Sequence, residues 1–192
     1  MADQVPWLLV GLGNPGARYA RTRHNIGFMA VDAWCDKATS SPSWSEKWKA
    51  QVATIGTGSA RVVAVKPQTF MNRSGQSVVP AAQFLRVPPA QILVVHDEVD
   101  FQLGRLAVKK GGGHGGHNGL RDILQLLGSG DFLRIRLGIG RPVHGEVADH
   151  VLSDFLPDER TVVDDLLERA VGAITCVTRE GVVTAMNKFN TT

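Results

Sequence analysis

Short apolar runs alternate along this chain with helix-period stretches, and that alternation constrains the fold more than any other feature. Runs of strand length fall at 6–10, 51–55, 62–66, 92–96, 105–109 and 132–139. Helical patterns fall at 25–37, 74–85, 119–127 and 158–178. Strands interleaved with helices make an α/β protein, a sheet whose faces helices cover. Several runs are short, so the spacing predicts a twisted mixed sheet rather than a purely parallel one. Within 132–139, Leu133, Ile135, Leu137 and Ile139 alternate onto one face, and Phe132, Arg134 and Arg136 onto the other. Helix 158–178 is expected to carry one buried stripe through Val162, Val163, Leu166, Leu167, Ala170, Val171 and Ile174. Pro80 is expected to kink or shorten helix 74–85. Asn118 reads as the N-cap of the third helix and Gly128 as its stop. Residues 39–45 read as a loop.

The 192 residues suit a single domain, 1–192. The longest clean apolar runs, such as 7–10 and 92–95, are four residues, far short of a bilayer span. The N-terminal Met-Ala-Asp-Gln has no secretory character. Cys35 and Cys176 lie far apart and form no CxxC, which points to a reducing, cytosolic compartment. The net charge of +3 conceals a split. Residues 1–143 hold 17 Lys+Arg against 9 Asp+Glu, a net of +8, and residues 144–192 hold 4 against 9, a net of −5. The first three-quarters is basic enough to attract a polyanion.

Two glycine-rich segments stand out. Gly11-Leu-Gly-Asn-Pro-Gly16 matches the dinucleotide-binding pattern after a strand. That pattern needs a helix opening inside the glycines and an acid at a strand end about 20 residues on. Here Pro15–Gly16 reads as a turn, and Asp32 and Asp36 lie within a helix, so a nicotinamide cofactor is not the favoured reading. Gly111-Gly-Gly-His-Gly-Gly-His-Asn-Gly119 cannot hold a regular element. It leads into a helix N-terminus, which favours an anion or a developing negative charge. It lacks the Gly-Lys-Ser/Thr ending of a Walker loop. His114 and His117, with His96-Asp97-Glu98, could be imagined as zinc ligands, but so mobile a loop fixes geometry poorly. No G-x-S-x-G occurs, so a hydrolase built on this chain would use water as nucleophile, with a base, an orienting group and oxyanion donors. His24 is a candidate base on a loop, and Asp97 stands at a strand end.

Several segments together resemble the bacterial peptidyl-tRNA hydrolase family, in that family's order. They are 11–16, Thr22-Arg-His-Asn-Ile-Gly27, Lys66-Pro-Gln-Thr-Phe-Met-Asn-Arg-Ser-Gly75, His96-Asp-Glu-Val-Asp100, 111–119 and Arg136-Leu-Gly-Ile-Gly-Arg-Pro142; Asp149-His-Val-Leu-Ser-Asp-Phe155 is also similar. The resemblance implies hydrolysis of the ester joining a peptide to the 3′ ribose of tRNA, by a cytoplasmic monomer without cofactor or metal. It implies that His24 activates water, that Asp97 orients it, and that Asn118 binds near the water or the oxyanion. It assigns Asn14, Asn72, Met71, Tyr19 and His117 to substrate binding. It assigns Lys109 and Arg136 to the tRNA 5′ phosphate, a contact that positions RNA without reading sequence. Some relatives carry a further basic residue where this chain has Ala107, so Arg105, Lys110, Arg134 and Arg141 also remain candidates for the clamp. Two other readings stand beside this one: an RNA-binding module without catalysis, and a nicotinamide-dependent oxidoreductase.

Overall fold

The computed structural model describes residues 5–191, and the N-terminal tetrapeptide read above lies outside them. In chain order the elements are β1 (Trp7–Gly11), α1 (Ile26–Ala38), β2 (Ser45–Lys47), β3 (Ala50–Ile55), β4 (Val62–Pro67), α2 (Gly75–Leu85) and β5 (Ile92–Glu98). They continue with β6 (Leu106–Lys110), α3 (Asn118–Leu127), β7 (Leu133–Gly138), α4 (Val147–Val151), α5 (Arg160–Glu180) and α6 (Val182–Phe189). The seven strands form one sheet in the order β2-β3-β4-β1-β5-β7-β6. The central four, β4, β1, β5 and β7, are parallel, whereas β2, β3 and β6 join antiparallel. The expected mixed α/β sheet is therefore what forms.

Alternation in the strands divides the core in two. Leu9, Leu93, Val95, Ile135 and Leu137 pack beneath α1, α5 and α6. Leu8, Val10, Val94 and Phe132 pack on the other face, beneath α2 and α3. The edge of β6 is covered by a side chain: Asn190 Oδ1 accepts from the Val108 N–H at 2.7 Å and its amide donates to the Val108 carbonyl at 2.9 Å. An edge strand satisfied in this way offers less to a foreign strand.

The glycines at 11–16 serve packing rather than a dinucleotide. A Cβ on Gly11 would lie 2.5 Å from the Gly27 carbonyl oxygen, and one on Gly27 would lie 2.4 Å from the Val95 carbonyl oxygen. The N-terminus of α1 thus rests directly on the ends of β1 and β5, which brings His24 close to the end of β5.

Four expectations need correction. Val162, read into the buried stripe of α5, is 42% exposed and lies at the edge of that stripe. The helix α2 continues through Pro80 without shortening; Pro80 is exposed, where the carbonyl four residues back can turn to solvent. The N-cap of α3 is His117, whose ring nitrogen accepts from the Gly119 and Leu120 N–H groups, and Asn118 is the first helical residue. The strand β2 begins at Ser45, inside the expected loop 39–45; Ser-Glu-Lys is fully exposed and carries no apolar alternation. Its turn, Trp48–Lys49, takes φ of 52° and 54° without the Asn-Gly that usually marks such a turn. The five-residue helix α4, whose Val151 is only partly buried, is too short to show a periodic signal, and α6 forms a separate helix beyond Gly181; neither was expected.

Candidate active site

Asp97 sits at the end of β5, 3% exposed, and two imidazoles converge on it. His24 Nδ1 lies 2.9 Å from Asp97 Oδ2, and His117 Nε2 lies 2.8 Å from Asp97 Oδ1. Burial alone would raise the Asp97 pKa, but the two histidines and their hydrogen bonds hold it well below the usual carboxylate range. The group is therefore a carboxylate that only accepts, and both facing nitrogens carry protons.

The tautomers follow. His117 Nδ1 accepts from the Gly119 N–H at 3.1 Å, so its proton sits on Nε2 and goes to Asp97. His24 donates from Nδ1, which leaves its Nε2 lone pair free as a base. Burial lowers the His24 pKa, but the Asp97 charge and hydrogen bond outweigh it, and the net shift is upward. His24, Asp97 and His117 offer ligand-type atoms within 4.8 Å of one another, the grouping among the described residues best suited to a metal. His117 does not suit that role: a metal on Nε2 would need the proton on Nδ1, where two backbone N–H groups already point.

A third imidazole stands behind these two. His96 is 2% exposed, donates from Nδ1 to the Asp97 carbonyl at 2.8 Å, and meets the His117 ring edge-on at 5.0 Å. Burial and the neighbouring His117 push its pKa down to about 3, so it stays neutral.

His24, Asp97, His114, His117 and Asn118 line a cavity of about 320 Å³ together with Arg141, Val147, Ala148 and Val151. The last three come from the acidic final quarter of the chain, in which no site residue was expected. That quarter is strapped to the His24 loop: the Arg23 N–H donates to the Ser153 carbonyl at 2.9 Å, and the Arg23 guanidinium pairs with Glu159 at 2.8 Å.

The remaining candidates lie around this centre rather than in it. Asn14 is 7% exposed, and its Oδ1 accepts from the Met71 N–H at 2.7 Å. Its backbone is held at both ends by the buried Asn25 side chain, at 2.9 Å each way. Asn25 was not singled out in the sequence, although it directly follows His24. Met71 is buried, and its sulfur packs where a Cβ on Gly119 would fall. Asn72 is exposed in the turn before α2. Asn118 Oδ1 accepts from Arg121 at 3.0 Å, which orients its amide. Tyr19 is half-buried in a helical turn, its ring beneath Arg18, and is not among the residues lining the cavity.

Lys109 and Arg136 lie on the same face of the β6–β7 pair: Lys109 faces Arg134, and Ala107 faces Arg136. Lys109 is exposed. Arg136 stacks on Phe101 at 4.3 Å and pairs with Glu98 at 3.0 Å, so part of its charge is already balanced. Lys110 points to the opposite face, Arg141 pairs with Asp100, and Arg105 stacks on Phe101.

The chain as a whole has counterparts among known proteins. The sequence profile of the family Peptidyl-tRNA hydrolase matches residues 8–192. The chain belongs to the peptidyl-tRNA hydrolase family. Among the family's curated members, the peptidyl-tRNA hydrolase of Trichlorobacter lovleyi is 46% identical over 193 residues, covering 95% of this chain and 94% of that protein. The peptidyl-tRNA hydrolase of Sorangium cellulosum is 47% identical over 187 residues, 96% of this chain and 83% of that protein. The crystal structure of the peptidyl-tRNA hydrolase of Acinetobacter baumannii superposes with a TM-score of 0.89 at 39% identity, over 99% of this chain and 97% of that one. Membership in the family disposes of the nicotinamide reading.

Proposed function

We propose that this protein hydrolyses the ester linking a peptide to the 3′ ribose of tRNA. The observation that carries the mechanism is the His24–Asp97–His117 chain of hydrogen bonds, which leaves His24 Nε2 as the one unprotonated nitrogen of that chain at the cavity. A water near Nε2 gives its proton to His24 while its oxygen attacks the ester carbonyl. Asp97 stabilises the imidazolium that results, and the same proton then passes to the departing ribose oxygen. The carbonyl oxygen gains negative charge at the mouth of α3, where the Asn118 amide and the helix N-terminus favour it.

Asn14, Asn72, Met71 and Tyr19 contact the peptide and the tRNA end. Amides suit a substrate of any sequence, because each both donates and accepts. Lys109 and Arg136 hold the tRNA phosphate, and the basic body draws the polyanion in. In this reading the chain acts as a cytosolic monomer, and the free, buried Cys35 and Cys176 are compatible with a reducing compartment.

The test is peptide release from N-blocked aminoacyl-tRNA by the purified protein. Release by the wild type, loss in His24→Ala, and resistance of unblocked aminoacyl-tRNA are the expected results. Turnover unaffected by His24→Ala would overturn the mechanism.

A further inference from the structure

The loop at 111–117 contains five glycines, and Gly111, Gly112, Gly115 and Gly116 all hold positive φ, between 56° and 110°. Such a segment loses more conformational entropy on ordering than any other of its length. Yet it ends on His117, which must hold its hydrogen bond to Asp97, and on Asn118. Something outside the loop has to keep it in place.

Arg134 meets that need. It lies on β7, 2% exposed, and its two terminal nitrogens donate separately to the carbonyls of Gly113 and Gly112. Its guanidinium rests on the Phe132 ring at 4.5 Å. Among the described residues no carboxylate pairs with it, and burial together with nearby Arg136 lowers its pKa. A buried cation without an anion is costly, and the hydrogen bonds it makes here go to the loop. Its two terminal nitrogens are engaged by the loop and its Nε is buried without a partner, so it presents no donor to a phosphate and leaves the clamp candidates. A lysine has three donors on one freely rotating nitrogen, so it could touch both carbonyls but could not hold them in the fixed fork of a planar guanidinium.

We propose that Arg134 is a positioning residue, whose planar fork fixes the Gly112 and Gly113 carbonyls so that His117 and Asn118 stand in register with Asp97 and the cavity. This rests on the assignment of His117 and Asn118 to the site.

The experiment compares wild type, Arg134→Met, Arg134→Lys and His24→Ala on N-blocked aminoacyl-tRNA, with backbone NMR on 113–118. Misplacement of a reacting group by about 1 Å can lower a rate by about 10²-fold. Both Arg134 variants should therefore lose about tenfold or more in kcat, while KM changes by less than about twofold. Order parameters of 113–118 should fall below about 0.6, with the rest of the sheet unchanged. Wild-type kcat in Arg134→Met overturns the proposal, as does a loss confined to KM and its salt dependence, which would mark a phosphate contact. If Arg134→Met does not fold, Arg134→Lys decides: wild-type kcat there overturns the fork, and a lowered kcat supports it. Full activity in His24→Ala would instead overturn the site assignment beneath the proposal, whichever way the Arg134 variants behave.

Discussion

Replacing Asp97 with Asn tests the tautomer argument directly. The carboxylate accepts from His24 at 2.9 Å and from His117 at 2.8 Å. An amide of the same shape can accept on one side only, and on the other it must donate. His117 cannot turn over, because the Gly119 and Leu120 N–H groups, at 3.1 and 3.4 Å, demand a lone pair on its Nδ1. The amide oxygen is therefore drawn to His117, and the amide nitrogen faces His24. His24 Nδ1 becomes an acceptor, and its proton moves to Nε2, the nitrogen that must take the proton of water. Where an Asp-to-Asn change imposes the wrong histidine tautomer on a hydrolase, the rate falls by about 10⁴. Four decades correspond to about 5 kcal/mol of lost transition-state stabilisation. The assay is initial-rate peptide release from N-blocked aminoacyl-tRNA, paired with ¹⁵N spectra of His24. The pH profile adds a second readout. Wild-type activity should fall as pH drops through the raised His24 pKa. Without the Asp97 charge, burial is left to lower that pKa, and the acid limb should move to lower pH. A loss smaller than about tenfold, or a His24 that keeps its Nδ1 proton, would refute the reasoning.

Three further outcomes follow from the surrounding geometry. Lys109→Ala should weaken tRNA binding and reduce the slope of log K against log salt by about 1. Arg136→Ala should weaken binding further, because it also releases the Glu98 carboxylate it now pairs with; filter binding across a salt series checks both, and equal damage to a short, tRNA-free ester would contradict a phosphate role. His96 has a folded-state pKa of about 3 against an ordinary 6.5, so the unfolded chain binds the extra proton and stability is lost as pH falls from 6.5 towards 3. At pH 5 that loss is about 2 kcal/mol. Thermal melts at pH 7.5 and 5 should show a smaller acid drop in His96→Asn than in wild type, since the amide can keep the hydrogen bond to the Asp97 carbonyl without titrating; an equal drop would contradict the assignment.

Local pattern carried most of the architecture. The strand 132–139 showed its two faces because Leu133, Ile135 and Leu137 are buried and Arg134 and Arg136 are polar, and a period of two is visible without any neighbour. The long helix α5 showed itself through its stripe. The strand β2 and helices α4 and α6 were not legible, for different physical reasons. The strand β2 is exposed and buries no face, α4 is too short for its partly buried Val147 and Val151 to show a period, and α6 follows a glycine that breaks a continuous helical pattern.

The same division runs through the site. The residue types were readable one by one: a histidine on a loop, an acid at a strand end, a glycine-rich approach to a helix. Their order along the chain resembles one family, and that family's profile matches residues 8–192. The sequence by itself determined the class of sheet, the basic body and the chemical inventory, because these depend on periodicity and composition. Only the tertiary structure decided that His24 and His117 share one carboxylate, that His117 rather than Asn118 caps α3, and that the acidic final quarter walls the cavity. The cap is a local contact, but the shared carboxylate and the cavity wall depend on groups up to 136 residues apart, as in the Arg23–Glu159 pair, brought together by packing against a common sheet. A hydrogen bond at such a separation leaves no periodic trace in the chain that makes it.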